Sequence, residues 1–327
     1  QQYKKDRDPR ELIFQFKKRA FVHFAVDTDE VYMATKLEGD DTFFLPFNKG
    51  YKFGAGNPPA EDNYRTAYLW EDILTKDTLL DIIGRYLHLE SAEKKVYTDK
   101  GVVKEKKETL IFPRYHQLDV VSKLIENARQ KGGGHNYLVQ HSAGSGKSNS
   151  IAWLAYRLSS LHNENDEKIF HSVIVITDRR VLDRQLQDTI YQFEHKEGVV
   201  KKIDEDTKQL AEALSGGVPI IISTLQKFPF ISEALEKLTS EGKELEIATG
   251  GKRYAVIVDE AHSSQSGEAA VELKKILNKE GIESIVAEQM LGFEDETLSE
   301  EAKAEMIREM AKRGKQPNLS FFAFTAT

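Results

Sequence analysis

Five short apolar runs, each followed at once by polar and charged residues, restrict the fold of this chain more than any other feature. They are Tyr137 to Val139, Val173 to Ile176, Val218 to Ile222, Ala255 to Val258 and Phe321 to Phe324. Runs of that length and apolarity read as strands buried on both faces, and helical patterns separate them. Strands alternating with helices predict a mostly parallel, right-handed α/β sheet of five or more strands. Ligands of such sheets lie at the carboxyl ends of the strands. There this sequence places His141 to Ser148, Thr177 to Arg180, Ser223 to Gln226, Asp259 to His262 and Thr325 to Thr327. Between Gln265 and Asn318 the pattern is helical, with a capping box at Thr297 to Glu300 and a stop at Gly314.

The 327 residues exceed the usual size of one domain, so two globular units are expected. Residues 11 to 37 read as a β-hairpin with an acidic turn at Asp27 to Glu30. Asn48 to Pro59 reads as loop, and Tyr68 to Leu89 has the spacing of one amphipathic helix. From Ser91 to Lys107 the composition is charged and poor in apolar residues, which predicts a linker. The expected division is therefore 1–92, a linker at 93–110, and 111–327.

With 46 Lys+Arg against 53 Asp+Glu the net charge is −7, so contact with nucleic acid must be local rather than driven by a global positive field. The absence of cysteine excludes disulfides, thiol nucleophiles and cysteine-ligated zinc, and fits a reducing, cytoplasmic setting. No apolar run approaches the roughly 20 residues of a membrane span. The start at Gln1-Gln2-Tyr3 and the end at Thr327 read as those of a piece cut from a longer protein.

The string His141-Ser142-Ala143-Gly144-Ser145-Gly146-Lys147-Ser148 lies between a strand and a helix, the context a phosphate loop requires. Gly144, Ser145 and Gly146 let successive amides form an anion nest at the helix start. Lys147 can reach the outer phosphates of ATP, and Ser148 can hold Mg2+. His141 departs from the strict pattern, which has glycine there; the bland alternative is a Gly/Ser turn that binds nothing.

Asp259 and Glu260 follow a buried strand. In a nucleotide hydrolase the first holds Mg2+ and the second polarises the attacking water. Alone, such a pair is better explained by an acidic strand end; the phosphate loop upstream is what favours the catalytic reading. His262 is a candidate relay between hydrolysis and DNA grip, although a lone histidine is more often structural. The Gln117 amide can pair with both the donor and the acceptor on adenine, with Arg114 or Tyr115 against the ring. Thr177, Arg179 and Thr224 are suited to gripping a phosphate backbone without reading bases, and Thr325 and Thr327 to linking nucleotide state to that side. Each of these is also an ordinary turn or strand end.

In their order Gln117, Gly-Ser-Gly-Lys-Ser, Thr-Asp-Arg-Arg, Asp-Glu-Ala-His and Thr-Ala-Thr, these motifs resemble the first RecA-like lobe of a superfamily 2 helicase or translocase. The wording at Tyr115-His116-Gln117, Asp259 to Gln265 and Phe322 to Thr327 is similar to the motor (R) subunit of type I restriction enzymes. So are Phe44 to Gly50, Gly54 to Pro59 and Thr66 to Glu71, which resemble the stretch joining that family's nuclease domain to its motor. The resemblance covers nearly the whole chain.

It implies a RecA-like parallel sheet forming the first motor lobe, preceded by a smaller α/β remnant of a nuclease domain. It also implies an ATP- and Mg2+-dependent translocase on double-stranded DNA, working with methyltransferase and specificity subunits to cut unmethylated DNA. The family's nuclease cluster has no match here. Asp27, Asp29 and Glu30 sit on a hairpin turn, and Glu105-Lys106-Lys107 fits by letter but falls in the expected linker, so the nuclease carboxylates are expected upstream of Gln1. A second lobe supplying arginines is also missing, and the chain alone is expected to bind ATP but hydrolyse it poorly. Two other readings stand beside this one: a self-sufficient superfamily 2 helicase or repair translocase, and a regulatory ATP-binding module.

Overall fold

The computed structural model describes residues 2–98, 101–177, 180–193, 198–203, 206–240, 252–260, 268–278, 304–305, 307–309, 311 and 316–326. The expected capping box at 297–300 and stop at Gly314 lie outside these. The chain divides into two compact units, Gln1–Val120 and Val121–Thr327.

In the first unit, β1 (His23–Val26) and β2 (Val31–Ala34) form the expected antiparallel hairpin, with Val26 opposite Val31, and β3 (Leu45–Pro46) extends it beside β2. The acidic turn closes on itself. Asp27 Oδ1 accepts from the amides of Asp29 and Glu30, both at 2.8 Å, and these bonds hold the Asp27 carboxyl below its usual range. Aromatic rings fill the core: Phe47 lies 5.4 Å from Phe24 and 5.9 Å from Tyr115, and the Tyr68 hydroxyl donates to the Phe47 carbonyl.

Two expectations in this unit need correction. The helix read over Tyr68 to Leu89 is broken into a π-turn at Leu69–Ile73 and α1 (Lys76–Arg85). Thr75 between them is extended, with φ −66° and ψ 154°, and its Oγ1 bonds to the Asp72 carbonyl and to Thr78 Oγ1, so the chain restarts rather than continues. The segment read as a linker is a long hairpin: β4 (His88–Thr98) pairs antiparallel with β5 (Gly101–Ile111), from His88 opposite Ile111 to Thr98 opposite Gly101. A backbone ladder needs no apolar face, so a charged segment that looks like a linker can form a two-stranded ribbon. Glu105-Lys106-Lys107 therefore lies on a strand. Among the described residues no three His, Cys, Asp or Glu side chains cluster as a metal site would require.

Helix α2 (Tyr115–Lys131) crosses the division between the units. The second unit is a six-stranded sheet in which every pairing is parallel, in the order β6-β11-β10-β7-β9-β8. The strands are β6 (Tyr137–His141), β7 (Ser172–Thr177), β8 (Val200–Lys202), β9 (Ile220–Thr224), β10 (Tyr254–Val258) and β11 (Leu319–Ala326). Helices α3 (Lys147–Ser159), α4 (Arg180–Gln192), α5 (Thr207–Ser215), α6 (Ile231–Ser240) and α7 (Glu268–Leu277) lie between them in sequence.

All five expected strands are present. Every residue of β7 and β10 is buried, as continuous apolar runs require when both faces are covered. One face packs Ile174, Ile176, Val256 and Val258 with Leu210 of α5 and Leu273 of α7. Ile151, Trp153 and Leu154 of α3 are fully buried, as are Phe322 and Phe324 of β11. This is the RecA-like α/β sheet that the strand pattern and the resemblance implied, with β8 as an unforeseen sixth strand. No helix among the described residues is long and apolar enough to cross a membrane.

Candidate nucleotide site

Strand register sets the site. Leu138, Ala323, Val258, Ile176 and Ser223 occupy one row across five strands. Beyond that row β6 and β11 run on together to His141 and Ala326, β10 stops, and β7 and β9 end at the paired Thr177 and Thr224. The last strand in sequence, β11, is inserted between the strand before the loop and the strand before the carboxylates. Lysine and carboxylates thus approach each other across one intervening strand rather than side by side.

The loop from Ser142 to Gly146 turns tightly: the Ser145 amide donates to the Ser142 carbonyl at 3.2 Å. Gly144 and Gly146 have φ of 71° and 82°, a region that side chains disfavour. At Gly144 an added Cβ would meet nothing within 4 Å, so glycine serves backbone conformation there, not space. Gly146 caps α3 and provides no capping side chain, so no N-cap side chain covers the first-turn amides, the positive end of the helix.

Lys147 opens α3, with its side chain 17% exposed. Its Nζ donates to Asp259 Oδ1 at 2.8 Å and also pairs with Glu260 Oε1. Burial alone pulls this ammonium down, but the hydrogen bonds to Asp259 and Glu260, with their charges, carry its pKa above the usual lysine value. The Asp259 amide donates to the Ile176 carbonyl of β7 at 3.0 Å, which anchors the carboxylate pair to the sheet. The Glu260 amide donates to Asp259 Oδ1, also at 3.0 Å. Glu260 itself has φ 51°, a left-handed conformation that costs a non-glycine residue about 1–2 kcal/mol. Ser148, half-buried, follows Lys147 in the first turn.

Thr177, buried, and Thr224, half-buried, stand opposite each other at the same edge of the sheet, and Thr325 lies on β11 opposite Gln140. Arg179, His262 and Thr327 lie outside the described residues. Arg114 and Gln117 belong to the first unit. There the Arg114 amide donates to Gln117 Oε1 at 2.9 Å, so the buried Gln117 side chain reaches back to the start of α2 as a capping-box glutamine does, and burial lowers the Arg114 pKa.

One interaction was not legible in the sequence: His141 Nδ1 and Ser145 Oγ share a hydrogen bond of 2.7 Å inside the loop. The only signal for it was the histidine standing where the strict motif has glycine. A separate cavity of about 610 Å3, lined in part by Leu138, Val256, Leu273, Lys274 and Phe321, contains none of the residues expected to be functional.

Glycine backbone, lysine, hydroxyl and paired carboxylates form a donor set that fits a nucleotide triphosphate with a hard, oxygen-preferring cation. The class that this fold and site define is a phosphate-loop nucleotide hydrolase on a parallel α/β sheet. A profile of the SWI2/SNF2 ATPase family matches residues 116–284, and the chain belongs to that family.

Among solved structures, the chain is similar to the UvsW helicase from bacteriophage T4, at 15% identity and a TM-score of 0.34, over 77% of this chain and 68% of that one. It is also similar to a fragment of a putative HsdR subunit of a type I restriction enzyme from Vibrio vulnificus YJ016, at 12% identity and a TM-score of 0.32. That alignment covers 94% of this chain but 37% of the other, so the chain spans little more than a third of its length. No curated protein matches the chain.

Proposed function

We propose that this ATPase is the first lobe of a motor that couples ATP hydrolysis to translocation along double-stranded DNA, within a type I restriction enzyme. The observation that carries the motor reading is the convergence of Lys147, Asp259 and Glu260 beside a glycine-shaped loop, with Thr177, Thr224 and Thr325 on the same edge of the sheet.

In this reading Gly144, Ser145 and Gly146 cradle the phosphates, Lys147 binds the outer ones, and Arg114 and Gln117 receive the adenine. Ser148 and Asp259 would hold Mg2+, which would supply positive charge against the phosphates. Glu260 orients the attacking water and takes its proton. Thr177, Arg179 and Thr224 contact the DNA backbone, while His262, Thr325 and Thr327 pass the nucleotide state to it.

The restriction role is supported by the wording around the motifs and by the first unit, from Phe44 to Glu71. Methyltransferase and specificity subunits are its partners in that role. A second reading, a self-sufficient helicase or repair translocase, is favoured by the family match itself, which begins at residue 116 and leaves out all of the first unit but its end at 116–120.

ATP turnover by the complete natural chain separates them. Turnover that needs methyltransferase and specificity subunits and an unmethylated site supports the restriction motor. Stimulation by DNA alone makes the protein self-sufficient, and no turnover under either condition identifies a regulatory ATP-binding module.

A further inference from the structure

We propose that His141 is a positioning residue of the phosphate loop: its imidazole clasps Ser145 and holds the loop ready for the nucleotide. The inference rests on the loop being the ATP site, as argued above.

Three observations carry it. His141 is the last residue of β6 and is 5% exposed, so its ring lies within the structure instead of pointing into solvent. Its Nδ1 lies 2.7 Å from Ser145 Oγ, and Ser145, at 6% exposure, is buried with it two residues before Lys147. The ring is also held from the neighbouring strand: its centroid lies 5.8 Å from that of the fully buried Phe324, at an interplanar angle of 31°. Ala326 of β11 stands opposite His141 in the ladder.

A loop with two glycines in the left-handed region has many conformations to lose when it folds around an anion. A clasp made before the ligand arrives lowers that cost and is felt as affinity. The strict glycine of the motif would leave Ser145 without this partner, so a histidine at position 141 acts through the hydrogen bond it makes, whereas the glycine acts through freedom of backbone. His141 does not touch the reacting atoms. Its loss should raise KM for ATP and change kcat little.

The test is steady-state ATP turnover by the complete natural chain carrying His141→Phe, His141→Asn, Ser145→Ala or Lys147→Ala, with the unfolding midpoint measured for each. Phenylalanine fills the site and keeps the ring contact to Phe324 but cannot bond to Ser145; asparagine places an amide nitrogen where Nδ1 was. The expected result is a rise in KM of roughly 3- to 10-fold in H141F, the span of one lost hydrogen bond. S145A should show a similar rise, the H141F/S145A pair no more than either alone, and H141N a return toward the original value. Wild-type KM in H141F, or an equal rise in H141N, overturns the proposal. Turnover in K147A equal to wild type overturns the ATP-site reading instead, which keeps the two failures distinguishable.

Discussion

Lys147 Nζ lies 2.8 Å from Asp259 Oδ1, joining the first residue of α3 to the residue that follows β10. Glu260 shares the same ammonium, so one cation balances two adjacent carboxylates at the edge of the sheet. A nucleotide triphosphate brings anionic oxygens to the loop, and Lys147 must then divide its hydrogen bonds between phosphate and carboxylate. In the proposed reading, the ion triad is therefore the point at which nucleotide binding and carboxylate geometry are linked.

Lys147→Ala should abolish measurable nucleotide binding and cut turnover at least about 100-fold, since the loop loses its only side-chain cation. It should also destabilise the fold. A fully buried broken pair costs about 3–5 kcal/mol, but these three side chains are 17%, 13% and 31% exposed, so about 1–2 kcal/mol is expected. Binding of a fluorescent ATP analogue and urea denaturation of the variant check the two parts separately.

At Glu260 the proposed chemical role and the left-handed backbone can be separated by substitution. Glu260→Gln should retain nucleotide binding and lose about 100-fold or more in turnover, because the amide cannot take a proton from water. Both Glu260→Ala and Glu260→Gly remove the carboxylate, yet glycine tolerates the φ of 51° and alanine does not. The glycine variant should be about 1 kcal/mol the more stable of the two, read from chemical denaturation. Equal stabilities would mean that the left-handed backbone at Glu260 relaxes when its side chain is removed.

Tyr254 opens β10 fully buried, and its hydroxyl has no hydrogen-bond partner among the described residues. Tyr254→Phe removes an unpaid desolvation and should stabilise the chain by about 1 kcal/mol at neutral pH. Burial pushes the Tyr254 pKa up to about 12 from 10.0, so its folded-state value lies above the unfolded one. The associated stability is fully present below pH 10.0 and is lost as the pH rises through about 12. Lys147, also raised, contributes loss of the same sign above the ordinary lysine value of 10.5. Denaturation midpoints across the alkaline range should fall less steeply in Y254F than in the wild type.

Gly134, just before β6, has φ 87°, and an added Cβ would lie 2.8 Å from the Pro317 carbonyl oxygen and 3.1 Å from Pro317 Cα. Both are backbone atoms at the entrance to β11, so they cannot swing away. Gly134→Ala should cost about 2–4 kcal/mol through strain and overpacking, measured as a lowered unfolding midpoint. Gly144→Ala, with no atom within 4 Å of the new Cβ, should cost less by the same measurement.

The motor sheet was legible because its strands are apolar on both faces and each ends in polar residues. β7 and β10 announce themselves this way, whereas β8 does not: Val200-Lys201-Lys202 buries only its valine, and three residues set no pattern. The hairpin of β4 and β5 was hidden for a related reason, since hydrophobic periodicity reports burial and a backbone ladder can form without it. The helix break at Thr75 depends on bonds to Asp72 and Thr78 that spacing alone does not reveal. At the site, the residue types of the loop and of the carboxylate pair were visible as motifs. The bond between His141 and Ser145 and the left-handed backbone of Glu260 follow from how the loop and strand end close in three dimensions.

The most direct test of the central claim is ATP turnover by the complete natural chain, with the proposed methyltransferase and specificity subunits present, measured with and without unmethylated double-stranded DNA and repeated with Lys147→Ala. The expected result is turnover that DNA raises at least about tenfold and that the variant lacks at every DNA concentration. Turnover indifferent to DNA, or undiminished in the variant, would contradict a DNA motor driven from this loop.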